Sequence, residues 1–335
     1  MRRLRLSAAV LVATSLVLAG CGGNDESPEA ETPESQKVAG GATLDSTWPL
    51  TGLPVSGDDS ATQGHPVLVT KMDNTAASAP QVGLSKADLV VEELVEGGLT
   101  RLAAFYYSQV PGDVGPVRSM RASDIGIVAP ADASVVTSGA AGKTIARIKD
   151  ARITFFQEGA PGLHRDSSRS APYNLMADLS KVADAIDQDE ARPDDYLPWG
   201  EAKDLPKGQP AKTIAVSFSG GHTTNWALAK GGYVNENSYA AAGDEFTAAN
   251  VLVLRVKVGD AGYLDPAGNR VPETKFTGKG EAMLFHDGRL VRGSWSKSDL
   301  AAPLELSTKA GKLTVPAGRT WIELVPASGG NVTFK

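Results

Sequence analysis

The chain has 335 residues, 41 % of them hydrophobic and 21 % charged, with 33 Lys and Arg against 39 Asp and Glu and a formal net charge of −6. This balance fits a globular chain long enough for two domains of ordinary size. It excludes the basic footprint of a nucleic-acid binder or a polybasic membrane reader, and the single cysteine, Cys21, excludes a disulfide framework.

Residues 1–20 are built like a secretory signal. Arg2, Arg3 and Arg5 give a positive start, and Leu6 to Gly20 is apolar or small but too short to remain as a spanning helix. Leu18-Ala19-Gly20-Cys21 resembles the bacterial lipobox, in which the cysteine thiol takes a diacylglycerol and becomes the new N-terminus. That resemblance implies a protein lipid-anchored to the cell membrane through Cys21 on the extracytoplasmic side. It would leave no thiol for a metal or a nucleophile, and loss of three arginines would take the formal charge to −9. One acyl chain holds a protein only marginally, so stable anchoring implies two or three. Residues 21–46 read as an acidic tether. They carry Asp25, Glu26, Glu29, Glu31 and Glu34 with Pro28 and Pro33, and too little apolar surface to offset ordering.

Residues 47–192 predict an α/β domain with a mixed sheet, because strand and helix patterns alternate. Pro66–Met72 is a β-branched apolar run. Ala87–Val95 is ambiguous between helix and strand; a hairpin through Glu96-Gly97-Gly98 into Leu99–Ser108 is favoured. Ser119–Ala129 and Lys143–Asp150 read as helices, with strands at Ala133–Thr137 and Ile153–Gln157. Asn174–Ile186 carries a helical apolar stripe with Asn174 as its N-cap. Residues 193–210 hold four prolines and read as a linker. Residues 211–335 predict a smaller β-rich (α+β) domain, with strands at Thr213–Ser219, Asn250–Val258 and Thr320–Val325 and a hairpin at Asp287-Gly288.

The chemistry-bearing residues gather in the first domain. Glu92 and Glu96, four apart, would share one face in either secondary structure, with Arg101 beyond the turn. Arg118 and Arg121 follow a Gly-Pro step and would open a helix, where two cations oppose the dipole and call for an anion nearby. A polar loop supplies Arg165, Asp166 and Arg169 and ends at Asn174. Ser138–Thr144 has two residues between its glycines where a nucleotide-binding P-loop needs four, so no nucleotide is expected. His65, His164, His222 and His286 lack ligand spacing, so neither a metal nor another cofactor is expected. Trp226, Tyr233, Trp295 and Trp321 could pack a core or form a sugar platform, with the core favoured.

The segments PLTGLPV (Pro49–Val55), APQVGLSKADLVVEELVEGGLTRLAAFY (Ala79–Tyr106), GPVRSMR (Gly115–Arg121) and RDSSRSAPYNL (Arg165–Leu175) resemble the YerB-like bacterial lipoproteins. So do NVLVL (Asn250–Leu254), GSW (Gly293–Trp295) and AGRTWIEL (Ala317–Leu324). The resemblance implies an α/β part followed by a β-rich part and supplies no reaction. That family usually has tyrosine where Val91 stands, histidine near Thr137, and His-Asn where Tyr173-Asn174 stands.

These readings predict a charged pocket in which Glu92, Glu96, Arg101, Arg118, Arg121, Arg165, Asp166, Arg169 and Asn174 bind cell-wall material or an envelope protein. A buried salt-bridge network would use the same residues for structure alone. Two other functions stay open: a cell-wall glycan hydrolase or lyase with Glu92 and Glu96 as its acid–base pair, and a scaffold of an envelope complex.

Overall fold

A computed structural model describes residues 46–335. Cys21 and the expected tether, except Ser46, lie outside the described residues. The N-terminal part forms β1 (Leu68–Asp73), β2 (Leu89–Leu94), β3 (Thr100–Tyr106), α1 (Asp124–Val128), β4 (Ser134–Val136), α2 (Gly142–Asp150), β5 (Phe155–Phe156), β6 (Leu163–Arg165), β7 (Leu175–Ala177) and α3 (Leu179–Asp184). The rest is strand: β8 (Trp199–Gly200), β9 (Gln209–Pro210), β10 (Thr213–Ser217), β11 (Thr223–Ala229), β12 (Gly232–Asn235), β13 (Thr247–Ala248) and β14 (Asn250–Leu264). It continues through β15 (Arg270–Lys275), β16 (Gly278–His286), β17 (Arg289–Lys297), β18 (Glu305–Thr308), β19 (Gly311–Lys312), β20 (Val315–Pro316), β21 (Thr320–Pro326) and β22 (Asn331–Phe334).

One large mixed sheet runs in the order β19-β18-β17-β16-β14-β21-β2-β3-β1-β4-β5, with β15 on β14 and β9 on β17. Its middle is parallel: β21 pairs with β14 on one side and with β2 on the other. The N- and C-terminal parts thus meet in a shared sheet. Alternation along the strands sorts side chains between two cores. Leu89 and Val91 of β2 face the core covered by Ile125, Ile127 and Val128 of α1 and Ile148 of α2. Val90 faces the opposite core, covered by α3 and the antiparallel sheet β13-β12-β11-β10-β22. Trp226, Tyr233, Trp295 and Trp321 are buried, so they pack the interior and offer no platform for sugar.

The Glu96–Gly98 turn joins β2 to β3 antiparallel, with both glycines at positive φ (70° and 73°). Side-chain-bearing residues resist that conformation, which is why this tripeptide can close the hairpin. The long hairpin of β16 and β17 turns on Asp287 and Gly288, also at positive φ.

The helices differ from the sequence expectation. The one expected from Ser119 begins at Asp124. Before it, Val117 and Arg118 donate their amides to Leu175 O and Lys71 O (2.7 and 2.8 Å), which holds Arg118 in an extended strap rather than a helical turn. The helix expected over Asn174–Ile186 is split, because Leu175–Ala177 pairs with Leu163–Arg165. Only Leu179–Asp184 is helical, and its cap is Asp178, not Asn174. Asp178 Oδ1 accepts from Lys181 N (3.2 Å) and Ser180 Oγ (2.7 Å). Its hydrogen bonds to Lys181 and Ser180 pull the carboxyl down to about 2. Asp178→Ala is expected to cost about 1 kcal/mol, measured as a shift in the urea midpoint at unchanged slope.

The segment 193–210 is anchored rather than loose. Tyr196 and Leu197 are buried, Trp199 Nε1 donates to Pro49 O (2.9 Å), and β8 and β9 pair with β20 and β17.

Candidate functional site

Five stretches of chain converge on a cleft of about 420 Å³ at one end of the large sheet. The end of β1 gives Asp73 and Thr75, and the β2–β3 turn gives Glu96, Thr100 and Arg101. The strap before α1 gives Arg118, Ser119 and Arg121. Tyr173 enters from the β6–β7 loop, and Asp265 to Asn269 from the β14–β15 turn form a rim.

Among the described residues the cleft's ions are paired, with two exceptions, Arg101 and Asp265. Arg121 grips Glu96 through Nε and Nη2, both at 2.7 Å. Burial opposes both charges, but the pairing outweighs it, holding the Glu96 carboxyl below and the Arg121 guanidinium above their ordinary values. Arg118 Nε donates to Asp73 Oδ2 (3.0 Å), and its guanidinium lies 5.2 Å from the Tyr173 ring centroid. Arg101 is only 8 % exposed and donates Nη1 to Ser119 O (2.7 Å), yet among the described residues it pairs with no carboxylate. Burial, then repulsion from Arg121 and Arg118, pushes it down to about 10.

Behind the cleft lie two sealed networks on opposite faces of β2. On the first face Lys71 Nζ sits 2.9 Å from Glu93 Oε1 and 2.6 Å from Asp124 Oδ1, all three side chains at 0 % exposure. Burial pulls the ammonium down, but Asp124 and Glu93 outweigh it and hold Lys71 above its ordinary value. Burial, with Asp124 adding to it, pushes Glu93 up to about 7.

On the second face Glu92 accepts from His222 Nε2 (2.8 Å), Asn74 Nδ2 (3.0 Å), Thr224 Oγ1 (3.1 Å) and Trp321 Nε1 (3.2 Å). The parallel register sets Glu323 beside it, where Trp226 Nε1 donates to Glu323 Oε1 (2.8 Å). Burial opposes the Glu92 charge, but His222 outweighs it and draws the carboxyl below its ordinary value. Burial likewise opposes the His222 charge and is outweighed by Glu92, so the imidazole is raised. Burial and the Glu92 charge push Glu323 well above the carboxylate range. Among the described residues Glu323 Oε2 has no hydrogen-bond partner.

The expected site residues therefore separate. Glu96, Arg101, Arg118 and Arg121 line the cleft. Asp166 and Arg169 line an adjoining depression of about 440 Å³ that shares Tyr173 with it. Arg165 lies exposed, bonded to Glu158 and to Asn174 Oδ1. Glu92 does not face the arginines or join Glu96: it is sealed on the far face at 0 % exposure. The two glutamates cannot act as acid and base on one substrate, and the glycan-cleaving arrangement falls with them.

Sequence reasoning missed Asp73, Thr75 and Tyr173 in the cleft, and His222 and Glu323 behind it. Of these, Tyr173 and Glu323 lay within the RDSSRSAPYNL and AGRTWIEL stretches already singled out. Lys143, in the stretch like a phosphate loop, donates to Gly262 O (2.8 Å). Among the described residues no group of His, Cys, Asp and Glu is placed to hold a metal, and no helix is long and apolar enough to cross a membrane.

Two family models match the chain: "Protein of unknown function (DUF3048) N-terminal domain" over residues 50–192 and the corresponding C-terminal domain over 214–322. A relative named "Putative lipoprotein YerB", from Bacillus subtilis (strain 168), is 26 % identical over 292 residues, covering 83 % of this chain and 86 % of the relative. A crystal structure of YerB protein from Bacillus subtilis superposes with a TM-score of 0.71 at 20 % identity, covering 86 % of this chain and 99 % of that one. At that identity the likeness speaks for the fold.

Proposed function

From the premise that the chain belongs to the DUF3048 family, whose description names no activity, we propose that it is a membrane-tethered extracytoplasmic lipoprotein. In this reading the arginine cleft binds an anionic component of the cell envelope, either wall material or a partner protein. The name of the Bacillus subtilis relative supports the lipoprotein part, together with the Leu18–Cys21 motif. Replacing Cys21 with alanine is expected to abolish incorporation of a labelled fatty acid and move the protein from the detergent phase to the aqueous phase. Retention of label in that variant would sink the anchoring claim.

One observation carries the binding claim: Arg101 is a nearly buried guanidinium that, among the described residues, has no carboxylate within ion-pair distance, in a cleft that is open. Buried cations are ordinarily paired, so an unpaired one facing a cavity calls for an anion from outside. Arg101→Gln is expected to weaken retention of isolated envelope material by roughly 10- to 100-fold, the worth of one charge-assisted contact. The same change should leave thermal stability unchanged or raised, because a desolvated charge is removed. Unfolding of the variant, seen by circular dichroism, would instead assign Arg101 to a structural network. Membrane pull-downs that recover a stoichiometric partner regardless of Arg101 would favour the scaffold reading.

A further inference from the structure

Resting on that anion-binding reading, we infer that the anion is the phosphoryl group of a hydroxylated carrier, held between Arg101 and Arg118. The assignment follows from counting donors. Arg121 has no free edge: Nε and Nη2 hold Glu96 and Nη1 donates to Met120 O and Ser119 O, which leaves a single N–H on Nη2. Arg101 uses only Nη1, on Ser119 O, which leaves its Nε–Nη2 edge. Arg118 uses only Nε, on Asp73, which leaves its Nη1–Nη2 edge. Among the described residues neither free edge has a protein acceptor.

Two arginines that each keep a free guanidinium edge therefore line one cleft. Each edge makes two parallel N–H···O bonds to a planar or tetrahedral oxyanion. A carboxylate has two oxygens and satisfies one edge. A phosphoryl group has three terminal oxygens and up to two charges, and it can satisfy both. The acceptors already in the cleft are occupied: Asp73 by Arg118 and Thr75, Glu96 by Arg121, and Asp265 by Asn269. Among the described residues Asp265 has only neutral partners, and Arg101 is the cleft cation with no carboxylate within ion-pair distance.

The depression beyond Tyr173 defines the carrier. Its cation, Arg169, is already paired with Asp166 and donates further to Ser78 O and Pro80 O. What it offers is hydroxyl and carboxylate groups from Ser168, Ser170 and Asp166. This lining suits a neutral polyol or sugar and not a second anion.

Isothermal titration of the full chain in detergent, at constant ionic strength, with sodium phosphate, glycerol 3-phosphate and acetate tests this. Glycerol 3-phosphate should bind more tightly than phosphate, and both about tenfold or more beyond acetate. Arg101→Lys and Arg118→Lys keep the charge but lose the edge, and each should weaken both phosphoryl ligands about tenfold. Acetate binding as tightly, with the same dependence on Arg101, would overturn the phosphoryl assignment and leave the anion-binding reading intact. Absence of any Arg101-dependent anion binding would overturn both. Phosphate binding indifferent to both variants would mark an adventitious ion only and overturn the assignment. Glycerol 3-phosphate no tighter than phosphate would remove the carrier. Vesicles containing phosphatidylinositol 4-phosphate, whose headgroup carries a phosphomonoester on a polyol, mixed with Cys21→Ala protein distinguish the source. Flotation reversed by glycerol 3-phosphate places the ester in a lipid headgroup, and binding in solution without flotation places it off the membrane.

Discussion

Lys71→Met is expected to lower the free energy of unfolding by about 3–5 kcal/mol, the cost of leaving buried carboxylates without their counter-ion. The side chain fits in volume, so the loss is electrostatic. Among the described residues Lys71 is the only cation within ion-pair distance of Glu93 and Asp124, and all three are sealed. Glu93→Gln should cost far less at neutral pH, because burial already leaves Glu93 titrating at about 7. The pH dependence follows from the same shift. A carboxyl raised from 4.5 to about 7 contributes its proton-linked stability in full below 4.5 and loses it as the pH rises through 7. Urea unfolding of the parent should therefore show declining stability across that window, and Glu93→Gln should flatten the decline. A Lys71→Met variant within about 1 kcal/mol of the parent would show that the pair carries no net stabilisation.

Glu92→Ala should be comparably damaging, at about 3–5 kcal/mol. It strands donors on three separate elements: Asn74 after β1, His222 before β11 and Trp321 on β21. Each buried donor left without an acceptor costs about 1–3 kcal/mol, though such costs do not add. The network also tilts the pH profile. His222 is raised above 6.5, so its contribution is complete below 6.5 and disappears as the pH rises through the raised value. Glu92 is lowered below 4.5, so its contribution is present above 4.5 and is lost as the pH falls through the lowered value. Stability should peak on the mildly acidic side of neutrality. In a Glu93→Gln background, His222→Ala should flatten the remaining decline above pH 6.5, and a decline unchanged there would mean the imidazole is not coupled to Glu92.

Hydrophobic alternation made the strands legible, and the Glu-Gly-Gly and Asp-Gly steps made the hairpins legible, because both signals are local. The cleft was half legible. Its arginines lie close together in the chain, while Asp265 arrives from a hairpin far downstream. Glu92 shows why the rest was hidden. A four-residue spacing shares a face only within one element, and β2 ends at Leu94. Glu96 therefore lies in a turn, and Glu92 keeps the strand's inward direction. The partners that fix Glu92 are 130 and 229 residues away, at His222 and Trp321. The stripe over Asn174–Ile186 is real, but pairing with β6 outweighs helix propensity in its first turn.

The position of β21 bears on the order of folding. It enters the middle of the large sheet, between β2 and β14, and its pairing with β2 joins backbone more than two hundred residues apart. Until it docks, β2 and β14 each carry an unpaired edge with inward-facing apolar side chains. Neither part of the chain can finish its sheet alone, so the closing event is a non-local strand insertion of the kind that makes folding slow. A nascent or exported chain would stay open until that late segment arrives. In that interval its greatest exposure to wrong pairing is at the seam that later becomes its most protected interior.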